Sequence, residues 1–352
     1  MRNSDIFRDA LGAIVTALVI MVLFVLLMGT MVMLGQSAGQ SVKARIGQAG
    51  AVPDTAAVAT LAAAAEAREV PVLCYHYLRD AGGLLRFLKV LGYVVLSLPL
   101  LDDNEIWTVT ADSFDKQMRT LRENGFQTVT LADLDRWQRG LGELPPRPIV
   151  ITFDDGDRSL FDIAWPILSR HGFTATAFVI TGHVGEQWEG VDAISWAELR
   201  AMSDGGAFTI ESHSHDLHYR VSHQNSSAPV FIAASGGSEA FATHESWEAA
   251  IREDLERSRA LIQRHIGREP KFLAWPFGEG SEEVDRIAYD VGFSRVCAML
   301  GGTNSSLETV PAAQPAPHEW RRYEINRIPV TARTSLRGFR KILAQVSPPA
   351  DT

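Results

Sequence analysis

Eight short apolar runs recur from Val70 onward, and stretches long enough to form helices lie between most of them. The runs are Val70–Tyr75, Thr128–Leu131, Ile149–Phe153, Ala175–Ile180, Phe208–Ser212, Phe272–Trp275, Arg295–Met299 and Glu324–Ile328. They are too short for buried helices and apolar on both faces, so they read as strands covered on each side. Helical patterns fall between them at Ser113–Asn124, Ser159–His171, Ser195–Ser203, Glu245–Ile266 and Glu282–Val291. Strands alternating with helices demand a parallel sheet, and about this many strands predict one closed or nearly closed α/β barrel. In such a barrel the chemistry sits at the C-terminal ends of the strands.

The N-terminal part of the 352-residue chain is of a different kind. After a short tail, residues 1–9, the 26 residues from Ala10 to Gly35 carry no charge. At about 1.5 Å per helical residue they exceed a ~30 Å hydrocarbon core, whereas the apolar part of a cleaved signal peptide spans only about 7–15 residues. Residues 10–35 are therefore expected to be a retained transmembrane signal-anchor. Residues 36–69 hold 12 alanines and few large side chains, the composition of a linker. The folded domain is expected over 70–347, with a tail at 348–352. Arg2 and Arg8 precede the span while Lys43 and Arg45 follow it, so loop charge does not set its orientation.

Two stretches break the rhythm of the domain. Gly82–Leu101 is mostly apolar, interrupted by Arg86 and Lys89, and reads either as a packed helix plus strand or as an apolar flap that adds a second bilayer contact. Ser222–Thr243 is rich in Ser, Gly and Ala and reads as a surface loop or a substrate lid. A net charge of −9 with no basic run excludes a nucleic-acid partner. The two cysteines, Cys74 and Cys297, are too few for a disulfide framework, and a bridge between them requires an oxidising compartment.

Three strings carry chemistry. Asp154-Asp155-Gly156 follows the apolar run ending at Phe153, so two carboxylates emerge at a strand's C-terminal end. Adjacent side chains diverge there, which lets one carboxylate bind a metal while the other faces a reacting water. The second string, Glu211 to His218, brings His213, His215 and His218 within six positions. His213 and His215 share a strand face, His215 and His218 share a helix face, and His213 meets His218 only where the chain bends, so spacing leaves all three pairs open. One Asp with two His fits a divalent ion that keeps a water. The third string, Phe272 to Gly278, ends a strand in a Pro/Gly turn whose backbone N–H groups can meet a developing oxyanion.

The order of these strings, with Pro71-Val72-Leu73-Cys74-Tyr75-His76 before them and Asp285-Arg286-Ile287-Ala288…Gly292-Phe293 after, resembles the polysaccharide deacetylases, the NodB-homology carbohydrate esterases. Within them it is most similar to the poly-β-1,6-N-acetylglucosamine N-deacetylases of biofilm exopolysaccharide export. The five-residue step from His213 to His218, the form Ala274-Trp275-Pro276-Phe277-Gly278, and the preceding Glu245-Ser246…Asp254-Leu255…Ser258-Arg259 carry that narrower match.

The resemblance implies a distorted (β/α)7 barrel and a metal-dependent N-deacetylase. It implies that Asp155, His213 and His218 hold the metal, usually zinc with nickel or cobalt as alternatives, and that Asp154 is the general base. The backbone N–H of Phe277 becomes the oxyanion donor, and His76, Trp275, Pro276 and Phe277 become candidate substrate contacts. The chain departs from the wider family in two respects. No Leu-x-x-His proton donor follows Gly292, where His318 lies in a Pro-rich stretch, and Ala274 replaces the arginine that orients the base. His215 and Arg327 are the candidate replacements. Together these readings predict a single-pass protein of the cytoplasmic membrane with its catalytic domain on the outer side, acting on an N-acetylglucosamine-type polysaccharide as it leaves a synthase or export partner. Peptidoglycan or a chitin-like polymer is the alternative substrate, and a glycan-binding export component without turnover is the alternative of another class.

Overall fold

The structure, a computed structural model, describes residues 69–80, 103–223, 226–232, 241–299, 303–304 and 324–346. The expected span 10–35, the linker up to residue 68, the insertion 82–101, His318 and the tail 348–352 lie outside the described residues, as do 233–240 of the second insertion. Among the described residues, no helix is long and apolar enough to cross a membrane.

The apolar runs form a nine-stranded sheet in which every pairing is parallel. Its strands are β1 (Val72–Tyr75), β2 (Gln127–Thr128), β3 (Pro148–Phe153), β4 (Ala175–Val179), β5 (Phe208–Ser212), β6 (Phe272–Ala274), β7 (Arg295–Ala298), β8 (Ile325–Asn326) and β9 (Ile328–Pro329). Their spatial order is β8-β7-β6-β5-β4-β3-β1-β9, with β2 paired to β3. The two ends of that order are separated in sequence by Arg327 alone. Ile325 pairs with Cys297 of β7, and Ile328 pairs with Leu73 of β1. The segment Ile325–Pro329 is therefore a seam that joins the two edges and all but closes the sheet into a barrel.

Helices α1 (Ala111–Glu123), α2 (Leu131–Gln138), α3 (Trp165–His171), α4 (Trp196–Asp204), α5 (His244–Ile266), α6 (Glu282–Val291) and α7 (Leu336–Val346) accompany the strands. The expected strand Thr128–Leu131 is shorter than its apolar run. Thr130 and Asp133 form a capping box that starts α2 at Leu131, so a local cap overrides the β-branched run. The stretch expected as a loop after Ser222 begins instead with an antiparallel pair, Arg220–His223 with Ser226–Pro229.

Strand periodicity separates two faces. Leu73, Tyr75, Ile151, Phe153 and Phe208 belong to one outward cluster that also holds Phe114 of α1, with Tyr75 and Phe114 edge to face at 5.1 Å. Val72, Val150, Phe178, Ala274, Cys297 and Ile325 form a second cluster of the opposite parity, inside the barrel. At the N-terminal end the buried Arg295 donates to Asp135 Oδ1 at 2.7 Å and Gln138 Oε1 at 3.0 Å. Cys74 and Cys297 are free, buried thiols on the two strands that flank the seam, so no bridge joins them.

Candidate active site

The parity that places Val150 inside the barrel also places Thr152 and Asp154 there, and Asp154 is held at the end of β3 by its N–H to the Tyr75 carbonyl. Its carboxylate receives the guanidinium of Arg327 as a fork, at 2.6 and 2.9 Å. Both groups are essentially inaccessible to water. Burial pushes the Asp154 carboxyl up, but Arg327, His213 and His76 outweigh it and hold it below its ordinary value. The arginine that grips Asp154 thus comes from the seam rather than from the third string. Arg327 is also stacked over the Phe178 ring at 5.2 Å.

Asp155 adopts φ 68° and Gly156 φ 78°, a left-handed pair that reverses the chain and turns the second carboxylate across the barrel mouth. Asp155 Oδ1 lies 3.5 Å from His213 Nε2 and 3.6 Å from His218 Nε2, while Tyr77 Oη donates to its Oδ2 at 2.5 Å. The bend that joins the histidines comes at Ser214, with φ 71°. Helix α5 fixes that bend. Asp254 accepts the N–H groups of His215 and Asp216 at 2.8 and 2.7 Å, and Ser258 bonds Ser212 and the Ser214 carbonyl. Of the three histidine pairs left open by spacing, the structure brings His213 and His218 together.

Non-glycine residues with positive φ among the described residues are Arg147, Asp155, Glu189, Ser214 and Phe277. All but Arg147 line the cleft or adjoin His213, and each costs about 1–3 kcal/mol that the surrounding fold must supply.

These residues fit a divalent cation. One oxygen and two ring nitrogens lie within 4.8 Å of one another, and Asp155 Oδ1 is buried without a hydrogen-bond partner. An orphaned carboxylate oxygen facing two imidazoles is costly unless a cation sits among them. His213 Nδ1 bonds the Ala274 carbonyl at 2.8 Å, which leaves Nε2 with the lone pair a ligand needs. Burial carries the His218 pKa down to about 4, so that ring is neutral near pH 7. Opposing effects of burial and of the neighbouring histidines leave Asp155 well below the ordinary carboxylate range.

A cleft of about 490 Å³ opens onto the pair of carboxylates. Besides the carboxylates and the two histidines, it is lined by His76, Tyr77, Trp107, Tyr219, Arg220, Phe277, Asn104, Glu189 and Met299. His76 stacks on Trp107 at 4.3 Å, its Nε2 lies 4.0 Å from Asp154 Oδ2, and its buried Nδ1 has no partner. Phe277 packs its ring 4.5 Å from that of His218.

Other expected residues fall elsewhere. Trp275 is fully buried, donates to Asp285 Oδ1 at 2.6 Å and stacks on Phe231, so it is a core residue and not a sugar platform. Pro276 is buried in the same turn and does not line the cleft. His215 bonds Thr181 Oγ1 at 3.0 Å, outside the cleft lining. The positioning pair Asp254 and Ser258 stands one helical turn apart, a spacing visible in the sequence. Tyr77 left no signal beyond its place after His76.

A family model for polysaccharide deacetylase matches residues 142–296. A poly-β-1,6-N-acetyl-D-glucosamine N-deacetylase from Staphylococcus aureus is 31% identical over 227 residues, covering 63% of this chain and 70% of that protein. This chain belongs to the polysaccharide deacetylase family. A second family member of the same description, from Staphylococcus epidermidis, is 26% identical over 209 residues, covering 58% of this chain and 64% of that one. Among solved structures, IcaB from Ammonifex degensii superimposes with a TM-score of 0.59 at 25% identity, over 79% of this chain and 97% of that one. A de-N-acetylase from Aggregatibacter actinomycetemcomitans shares the fold, with a TM-score of 0.62 at 19% identity over 78% and 99% of the two chains.

Proposed function

We propose that this chain removes acetyl groups from the N-acetylglucosamine units of a polysaccharide, with poly-β-1,6-N-acetylglucosamine as its substrate, releasing acetate and leaving free amines. The observation that carries this reading is the buried Asp155–His213–His218 group with its orphaned carboxylate oxygen, beside a second carboxylate gripped by Arg327 on the floor of an open cleft. The printed activity of the staphylococcal relatives supports the choice of polymer.

Asp155, His213 and His218 would hold the divalent ion, with zinc as the first choice and nickel or cobalt as alternatives. When bound, such an ion polarises a carbonyl and brings the pKa of water toward neutrality. Asp154 accepts the proton of the attacking water, and Arg327 keeps that carboxylate ionised and aimed at the cleft. The backbone N–H of Phe277 meets the charge that develops on the acetamide oxygen. As the C–N bond breaks, the departing nitrogen needs a proton, and His76 is the imidazole placed to deliver it. Its Nε2 lies 4.0 Å from Asp154 Oδ2, so the proton taken from the attacking water returns to it through an intervening water. His215, held by Thr181, is replaced in that role.

The charge-free run at 10–35 supports an anchor in the cytoplasmic membrane, with the cleft on the outer side, where emerging polymer and its synthase or exporter would meet it. The test uses the full-length chain in detergent. Amine release is measured on β-1,6-linked N-acetylglucosamine oligomers, with chitin oligomers and peptidoglycan as comparison substrates, with chelator and with re-added Zn²⁺. Asp154→Asn and His213→Ala should abolish release, and chelator should suppress it reversibly. Chelator-insensitive turnover, or wild-type rates in both variants, overturns the mechanism. Glycan binding without turnover on any substrate or metal replaces it with a binding role.

A further inference from the structure

The two oxygens of Asp155 have different partners. Oδ1 is buried and faces the ring nitrogens of His213 and His218, with no hydrogen bond of its own. Oδ2 accepts the Tyr77 hydroxyl at 2.5 Å. Tyr77 sits on a short strand, Tyr77–Arg79, that follows β1. That strand is tied twice to the loop carrying Asp155. The Leu78 N–H donates to Ser159 Oγ at 3.0 Å, and Arg79 forks onto the buried Asp157 at 2.6 and 2.8 Å. The Arg79 guanidinium also lies 5.6 Å from the centre of the Tyr77 ring. These ties hold the strand that carries the phenol against the loop that carries Asp155.

A carboxylate can offer a cation one oxygen or two, and the choice sets how many positions remain for other ligands. We propose that Tyr77 is a positioning residue that restricts Asp155 to single-oxygen ligation and so reserves a ligand position for water and the acetamide oxygen. The inference rests on the metallohydrolase reading above. It adds a determinant of coordination number that lies outside the Asp-His-His set.

Tyr77→Phe retains the ring and deletes only the donor. Full-length wild type and the variant are saturated with Co²⁺, whose visible absorption weakens as its coordination number rises. The variant is expected to lose visible absorption and to bind Co²⁺ at least as tightly. Its kcat should fall about 10- to 100-fold with KM little changed. An unchanged spectrum in a variant that only melts at lower temperature assigns Tyr77 a structural role and overturns the proposal. A second comparison guards against a general packing effect. In an Asp155→Asn background one oxygen is already lost as a ligand, so adding Tyr77→Phe should leave the Co²⁺ spectrum as it is, and a further change there also overturns the proposal. Failure of the wild type to bind Co²⁺ strikes instead at the underlying metal site.

Discussion

Replacing Arg327 by methionine tests whether the seam and the proposed base, Asp154, are one device. The guanidinium makes two charge-assisted bonds to Asp154, and both partners are buried. At about 1.5–3 kcal/mol per charged hydrogen bond, the pair agrees with the ~3–5 kcal/mol lost when one partner of a buried ion pair is deleted. For a domain of this size that corresponds to a fall of roughly 6–20 °C in melting temperature. The pH dependence is more diagnostic than the size of the fall. In the wild type, Asp154 titrates below its ordinary value, so its contribution is present above the unfolded pKa and lost as pH falls through the folded one. Without Arg327, burial is left as the leading influence and pushes the Asp154 pKa above the ordinary range. The variant should then lose stability as pH rises through that new value, and the acid limb of its kcat/KM profile should move upward. Melting temperatures of both proteins between pH 4 and 9, with amine-release rates over the same range, make the measurement. A constant difference in melting temperature across that range, with unmoved acid limbs, refutes the assignment.

Three further outcomes follow from the geometry. His76→Phe, which preserves the stack on Trp107, should lower kcat by about 10²–10⁴ with little effect on KM; wild-type turnover returns the proton-donor role to another group. Asp254→Ala releases two N–H groups of the histidine bend and should weaken Zn²⁺ binding about 10- to 100-fold, read by chelator competition, while Asp254→Asn should recover part of the loss. Burial raises the Glu211 carboxyl to about 8 despite two backbone N–H donors, so the wild type should lose stability as pH climbs from about 4.5 toward 8. Glu211→Gln keeps the acceptor oxygen and should remove about a few kcal/mol of that pH-dependent loss in denaturant titrations; an unaltered slope places the titration elsewhere.

Much of the barrel could be read from runs such as Ile149–Phe153 and Ala175–Ile180, because a strand buried on both faces must be continuously apolar. The two-residue pieces β8 and β9 were less legible. Glu324–Ile328 reads as one run, yet its two halves pair with opposite edges of the sheet, a fact of closure that no local pattern encodes. Asp154 and Asp155 were visible as a pair at a strand end, whereas Asp154's partner Arg327 comes from the closure of the barrel and Asp155's partners depend on positive φ at Asp155 and Ser214, which residue type does not announce. Trp275 shows the converse error. An aromatic next to a turn looks available to a sugar, but its indole N–H finds Asp285 and the ring turns into the core. His76 was visible at the end of the Pro71–His76 string, but its proximity to Asp154 arises from the pairing of β1 with β3 and is not encoded locally.

Arg327 also imposes an order of events on the chain. Asp154 is synthesised 173 residues before the group that steadies it. A growing chain can therefore assemble most of the staves and still have an unsteadied base, until Ile325–Pro329 docks between β1 and β7. The reverse also holds. Any excursion that lifts this segment exposes the barrel's long joint and releases the base in the same movement, so loss of catalytic alignment should be among the first signs of the domain coming apart.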